Sequence, residues 1–263
     1  MNLRSWFQRR YVNEMVKVLI EDDRKCQELI RRVEADYGVK IKLPDSNSIP
    51  SCFLVDMLER AFTTGKIVLP PKITVLDFGC GDWFYAPFLL GFLKHWQGFR
   101  EVCLEGIDFP SRKNKRSLRR LQKGELDLRV HWGDIMNLSQ ENKYDIIFAS
   151  HMVAGPHHCK MWGVPYYKPS ILFSYLQSLG KPDCLFVVIA YEYAGEDAIF
   201  RCFKSKLTEF FYQPLVEKKF SSFLYNRRGF HDNSICISRS PFVDLEACTR
   251  YEEEIEEMDA ILY

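Results

Sequence analysis

Apolar residues recur along this chain in two rhythms. Between residues 5 and 37 they fall at three- and four-residue steps: Val12, Met15, Val16 and Leu19, then Leu29, Ile30 and Val33. That spacing predicts helix. The charged stretch Glu21-Asp22-Asp23-Arg24-Lys25 marks a break or a solvated face, and Gly38 fits a helix stop. A polar, proline-marked connector from Leu43 to Pro50 follows. It places a boundary after residue 45, with 1–45 as a helical cover and 46–263 as the main domain. A further helix is predicted over 51–64, carrying Phe53, Leu54, Met57, Leu58 and Phe62 on one side.

Beyond Pro70-Pro71 the rhythm changes. Short apolar, β-branched runs appear at Ile73 to Leu76, Val102 to Ile107, Leu128 to Val130, Ile146 to Ala149 and Leu185 to Ile189. Runs of this length without alternation read as strands buried on both faces. Helix-compatible segments lie between most of them, at about 84–97, 111–123 and 170–179. Val216 to Leu224 and Ser234 to Ser238 read as two more strands, joined through Asn226-Arg227-Arg228-Gly229 and paired antiparallel at the sheet edge. The tail from Asp244 keeps one apolar face through Leu245, Ile255, Met258 and Ile261. The fold class expected is therefore α/β, a mostly parallel doubly wound sheet with an antiparallel edge hairpin and an N-terminal helical extension.

Composition narrows the class without naming a chemistry. Apolar residues make up 47% of the 263 and charged residues 27%, which suits a globular protein with a sizeable core. The formal net charge is +1, so no global field draws the chain to nucleic acid or an acidic membrane. No apolar run is long enough to cross a bilayer. The nine cysteines form no Cys-x-x-Cys pair, and several sit in apolar runs. They read as reduced thiols of a cytoplasmic protein, not as a zinc site or a disulfide frame.

The most informative stretch is Ile73-Thr74-Val75-Leu76-Asp77-Phe78-Gly79-Cys80-Gly81-Asp82. A strand runs into glycines just before a helix, so the backbone can turn tightly and approach a ligand. Such a turn could serve NAD, a nucleoside phosphate or S-adenosylmethionine. The dinucleotide fingerprint needs a third glycine where Phe84 stands, and the phosphate-loop pattern is missing here. Asp77, two residues before the first glycine, would repel a pyrophosphate and suit a ligand with an amino group and ribose hydroxyls.

At these residues the chain resembles the class I S-adenosylmethionine-dependent methyltransferases. Asp77, Gly79 and Gly81 match their first motif, Asp/Glu-x-Gly-x-Gly. The resemblance implies that this turn cradles the amino-acid end and ribose of the cofactor. It implies that Asp108, closing Leu104-Glu105-Gly106-Ile107-Asp108, accepts from the ribose hydroxyls, with Glu105 the lesser candidate. Asp134, in Trp132-Gly133-Asp134, would meet the adenine amino group. The strand Tyr144 to Ser150 would open onto the substrate, with Ser150 on the cofactor side. Many members carry a third glycine where this chain has Trp83, whose bulk would narrow the amino-acid end or stack beside it. That departure keeps a catalytically silent, scaffolding member of the fold in view.

On the acceptor side, His151 follows the fourth strand, and an unperturbed imidazole is suited to act as a general base near neutral pH. Glu192 follows the fifth strand and could bind a cationic acceptor or act as base. Adjacent His157 and His158 point to opposite faces of an extended chain, so no metal is expected. The aromatic, proline-rich loop Met161 to Pro169 could wall a pocket. Between Arg112 and Lys123, seven residues are Lys or Arg. A solvated face is the plainer reading, and an RNA methyltransferase is the alternative to one acting on a small molecule or protein side chain.

Overall fold

A computed structural model of the chain describes residues 28, 31–32, 34–35, 48–81, 83, 85–95, 101–109, 128–138, 143–150, 156, 159–160, 163–191, 196–212 and 233–262. Residues 28, 31, 32, 34 and 35 are helical, in keeping with the expected N-terminal helix; the boundary placed after residue 45 lies outside the described residues.

In chain order the elements are α1 (Ser48–Thr64), β1 (Lys72–Phe78), α2 (Ala86–His95), β2 (Glu101–Asp108), β3 (Leu128–Trp132), a short 3-10 turn (Ile135–Asn137), β4 (Tyr144–Ser150), α3 (Pro169–Leu179), β5 (Gly180–Tyr191), a 3-10 segment (Glu196–Cys202), β6 (Lys206–Tyr212), β7 (Asn233–Arg239) and α4 (Leu245–Leu262). The seven strands form one sheet in the order β3-β2-β1-β4-β5-β7-β6. The first five are mutually parallel. β7 runs antiparallel to β5, and β6 antiparallel to β7. This is the expected mostly parallel, Rossmann-like sheet with an antiparallel edge.

Alternate strand residues supply two cores. Ile73, Val75, Leu104, Ile146, Phe148 and Val187 face Leu58, Phe62, Leu89 and Leu93 of α1 and α2. Leu76, Ile107, Ile147, Phe186 and Val188 face Phe173 and Leu176 of α3 and Cys248, Tyr251 and Ile255 of α4. In the second layer Phe186 stacks on Phe242 with ring centroids 4.3 Å apart, and Phe173 and Phe203 meet edge-on at 4.9 Å. Burial on both faces explains why the central strands read as continuous apolar runs.

One assignment needs correcting. The first arm of the edge hairpin is Lys206–Tyr212, not Val216 to Leu224, which lies outside the described residues. A bulge between Lys206 and Thr208 breaks the alternation in that arm, so its period-two pattern is hidden.

The strand order reverses between β1 and β4. The chain moves outward from β1 to β3, then returns to the other side of β1. In open α/β sheets the crevice beyond the carboxyl ends of the strands at such a reversal is where ligands bind.

Candidate functional site

β1 ends at Phe78 and the chain turns through Gly79 and Gly81 before α2. The N–H groups of Gly79 and Cys80 both donate to the carbonyl of Ile107, at 2.9 and 3.3 Å, fastening the turn to the end of β2. Gly79 has φ +73° and Gly81 φ +61°, where an L side chain is strained. A Cβ added at Gly79 would meet nothing within 4 Å. It would project into open space, and Gly79 lines a cavity at this sheet edge.

That cavity has a volume of about 210 Å³. Its floor is the strand ends and the turns after them: Phe78, Gly79, Asp108, Phe109, Gly133 and Ser150. Its wall comes from Ile135, from Val164 to Tyr167 and from Leu172 and Phe173. The aromatic loop singled out in the sequence thus borders the same space as the glycine turn. No lysine or arginine lines it among the described residues, and Asp108 is its one carboxylate. The Asp108 side chain is oriented locally, its Oδ1 accepting from the N–H of Phe109 at 2.7 Å. Its Oδ2 lies 4.0 Å from the position of a Cβ built on Gly81, so acidic group and glycine turn face each other.

Asp77 and Trp83 are placed differently. Trp83 adopts φ +53°, a conformation that costs a non-glycine residue about 1–2 kcal/mol. Burial offsets it: the side chain is 1% exposed, and burying a large apolar group contributes roughly 1.5–3 kcal/mol. The indole packs on β2, where a Cβ added to Gly106 would stand 3.0 and 3.1 Å from its ring carbons. Its Nε1–H donates to Asp77 Oδ2 at 2.6 Å. The Tyr85 side chain also favours the charged form of this carboxylate. Burial pushes the Asp77 carboxyl up to about 7; Trp83 and Tyr85 pull it down, and Asp108 adds to the rise. Neither Asp77, Gly81 nor Trp83 lines the cavity. The third left-handed position of the turn, at which Trp83 was singled out as a departure, is therefore filled by an inward-facing indole.

Asp134 precedes the 3-10 turn, and its Oδ1 accepts from the N–H of Met136 at 3.0 Å. Its Oδ2 accepts from the Tyr167 hydroxyl. Tyr167 lines the cavity and Asp134 does not. Glu105 lies on the α3 side of the sheet, taken up by Lys143 Nζ at 2.7 Å, Tyr144 at 3.0 Å and His131 at 3.1 Å. Burial would raise its pKa, but those hydrogen bonds outweigh it and leave the carboxyl below its ordinary value. It belongs to a structural ion cluster apart from the cavity.

Of the residues read from sequence, the structure brings Gly79, Asp108 and Ser150 together around one space. His151, Glu192, His157, His158 and the basic run 112–123 lie outside the described residues. Phe109, Ile135, Tyr166 and Tyr167 are cavity residues that motif matching passed over. Only the aromatic character of the 161–169 loop signalled the last two. No helix among the described residues is long and apolar enough to cross a membrane.

No protein-family model matches the sequence, and no curated protein does. Solved structures resemble the chain in outline. N-methyltransferase NodS from Bradyrhizobium japonicum WM9, in complex with S-adenosyl-L-homocysteine, is 13% identical with a TM-score of 0.47, covering 83% of this chain and 100% of that one. The PH0226 protein from Pyrococcus horikoshii OT3 is 12% identical with a TM-score of 0.48, covering 78% and 98%. At such distances no residue's role passes from them to this chain, and the Rossmann-like assignment rests on the strand order itself.

Proposed function

We propose that this chain is an S-adenosylmethionine-dependent methyltransferase acting on a nitrogen or oxygen of a small molecule or protein side chain. The observation that carries this reading is the meeting of Gly79 and Asp108 at one largely apolar cavity, at the reversal of strand order. Asp108 offers an acceptor suited to ribose hydroxyls. Gly79 leaves open space where any side chain would intrude. Phe109, Ile135 and Leu172 form walls suited to a purine. When bound, S-adenosylmethionine supplies a methyl on a sulfonium, and transfer disperses charge, so alignment of the acceptor supplies much of the acceleration. Ser150 borders the cavity and His151 follows it directly in the chain; His151 and Glu192 are proposed as acceptor-side base or orienting groups.

Asp108→Ala and Gly79→Arg are each expected to abolish binding of S-adenosylhomocysteine measured by calorimetry. Wild-type affinity in both variants would sink the site assignment. The engagement of Asp77 by Trp83 favours a second reading, a cofactor-binding member without turnover. Transfer of labelled methyl to acceptors presented in a cell extract separates the two: transfer supports the enzyme, and tight binding with no transfer supports the scaffold.

A further inference from the structure

Resting on the cofactor reading above, we propose that Tyr167 determines base specificity, its hydroxyl oxygen reading the exocyclic amino edge of the bound purine. A phenol has one proton and two lone pairs. Here the proton is given to Asp134 Oδ2, and the Asp134 Oδ1 is already held by the Met136 N–H. Tyr167 lines the cavity, and with its proton given to Asp134 its hydroxyl can offer a ligand only an acceptor. Asp134 stands behind it and does not line the cavity, so its acceptor character reaches the ligand through one intervening hydroxyl. The same bond holds the phenol in its protonated form: hydrogen bonding to Asp134, then burial, pushes the Tyr167 pKa up to about 12.

Both partners sit on pinned backbone. Tyr175 of α3 donates to the carbonyl of Leu138 at 2.6 Å, tying down the turn that carries Asp134. Lys168, next to Tyr167, pairs with Glu256 of α4 at 2.9 Å. Glu252 of α4 accepts from the N–H of Ser170 at 2.6 Å. The polarised hydroxyl is thus preorganised, and its direction is not reset when a ligand enters. A 6-amino purine presents N–H to this oxygen. A 6-oxo purine presents lone pairs to lone pairs and is disfavoured, a repulsive element that sets specificity.

The test compares calorimetric affinities of S-adenosylhomocysteine and S-inosylhomocysteine for the full chain, wild type and Tyr167→Phe. The wild type is expected to prefer the adenine form by about tenfold or more, and Tyr167→Phe to bring the two within about threefold. A preserved preference in Tyr167→Phe overturns the proposal, because Asp134 would then be reading the base directly. Tighter binding of both ligands at an unchanged ratio overturns it too, showing Tyr167 to be only an obstruction. Asp134→Asn gives a second measurement that does not touch the tyrosine. Its amide can donate to the phenol oxygen and release the phenol proton to the cavity, so the preference should collapse or reverse; an intact preference counts against the relay. Failure of the wild type to bind either ligand would defeat the cofactor reading itself, an outcome distinct from all of these.

Discussion

Asp77 is a carboxylate 1% exposed, facing an indole N–H and a phenol, with the Asp108 carboxylate close enough to raise its pKa. Its folded pKa, about 7, lies above the ordinary value of 3.8, so the folded state holds the proton where the unfolded chain has lost it. Stability from this group is complete below pH 3.8 and is lost as pH rises toward 7, by up to about 1.4 kcal/mol per pH unit. Asp77→Asn keeps an oxygen for the Trp83 N–H and removes the charge. The variant should match the wild type in chemical denaturation at pH 4 and exceed it by a few kcal/mol at pH 8. An equal difference at both values would show that ionisation of Asp77 carries no cost. The sequence flagged both residues, Asp77 as the motif acid and Trp83 as the departure. It could not show that they hydrogen-bond each other, because the direction of an indole on a left-handed residue depends on the space left by Gly106, on β2 and far along the chain from Trp83.

Gly106 shows what one strand must do at element scale. β2 presents Glu105 to the ion cluster on the α3 side and Gly106 to Trp83 on the α1–α2 side. A Cβ at Gly106 would stand 2.8 Å from the Cys80 sulfur and 3.0 Å from the Trp83 ring. Gly106→Ala should therefore cost about 1–3 kcal/mol as overpacking in the core. It should also alter the near-ultraviolet circular dichroism of the tryptophans. Unchanged stability and spectrum would mean that the turn yields freely. The parallel strands were legible because burial on both faces writes unbroken β-branched runs. β6 was not, because it pairs with one neighbour only, carries charged Lys206 and Glu209 outward, and is bulged. Likewise the turn acids were legible as motif positions, whereas the cavity wall was not: Ile135, Tyr166 and Tyr167 reach it through loops whose course no local pattern fixes.

At the scale of the whole molecule, the cavity lies where elements distant in sequence converge: the ends of β1, β2 and β4, the turns after β2 and β3, and the start of α3. A ligand held there touches both sides of the strand-order reversal and packs next to Ile107 and Phe173 of the core on the α3 side. Unfolding of that core dismantles the cavity, so the unfolded chain has no equivalent site and binding must add to stability. At a hundredfold excess over the dissociation constant the gain is about 2.7 kcal/mol. For a domain of this size that corresponds to a rise in Tm of roughly 5–10 °C. S-adenosylhomocysteine should produce this rise in the wild type, and the rise should grow with the logarithm of its concentration. Asp108→Ala should remove it while leaving the ligand-free Tm within a few degrees, since Asp108 is half-buried at the cavity and its Oδ1 accepts from its own neighbour, Phe109. A shift of equal size in the variant would place the ligand away from the glycine turn.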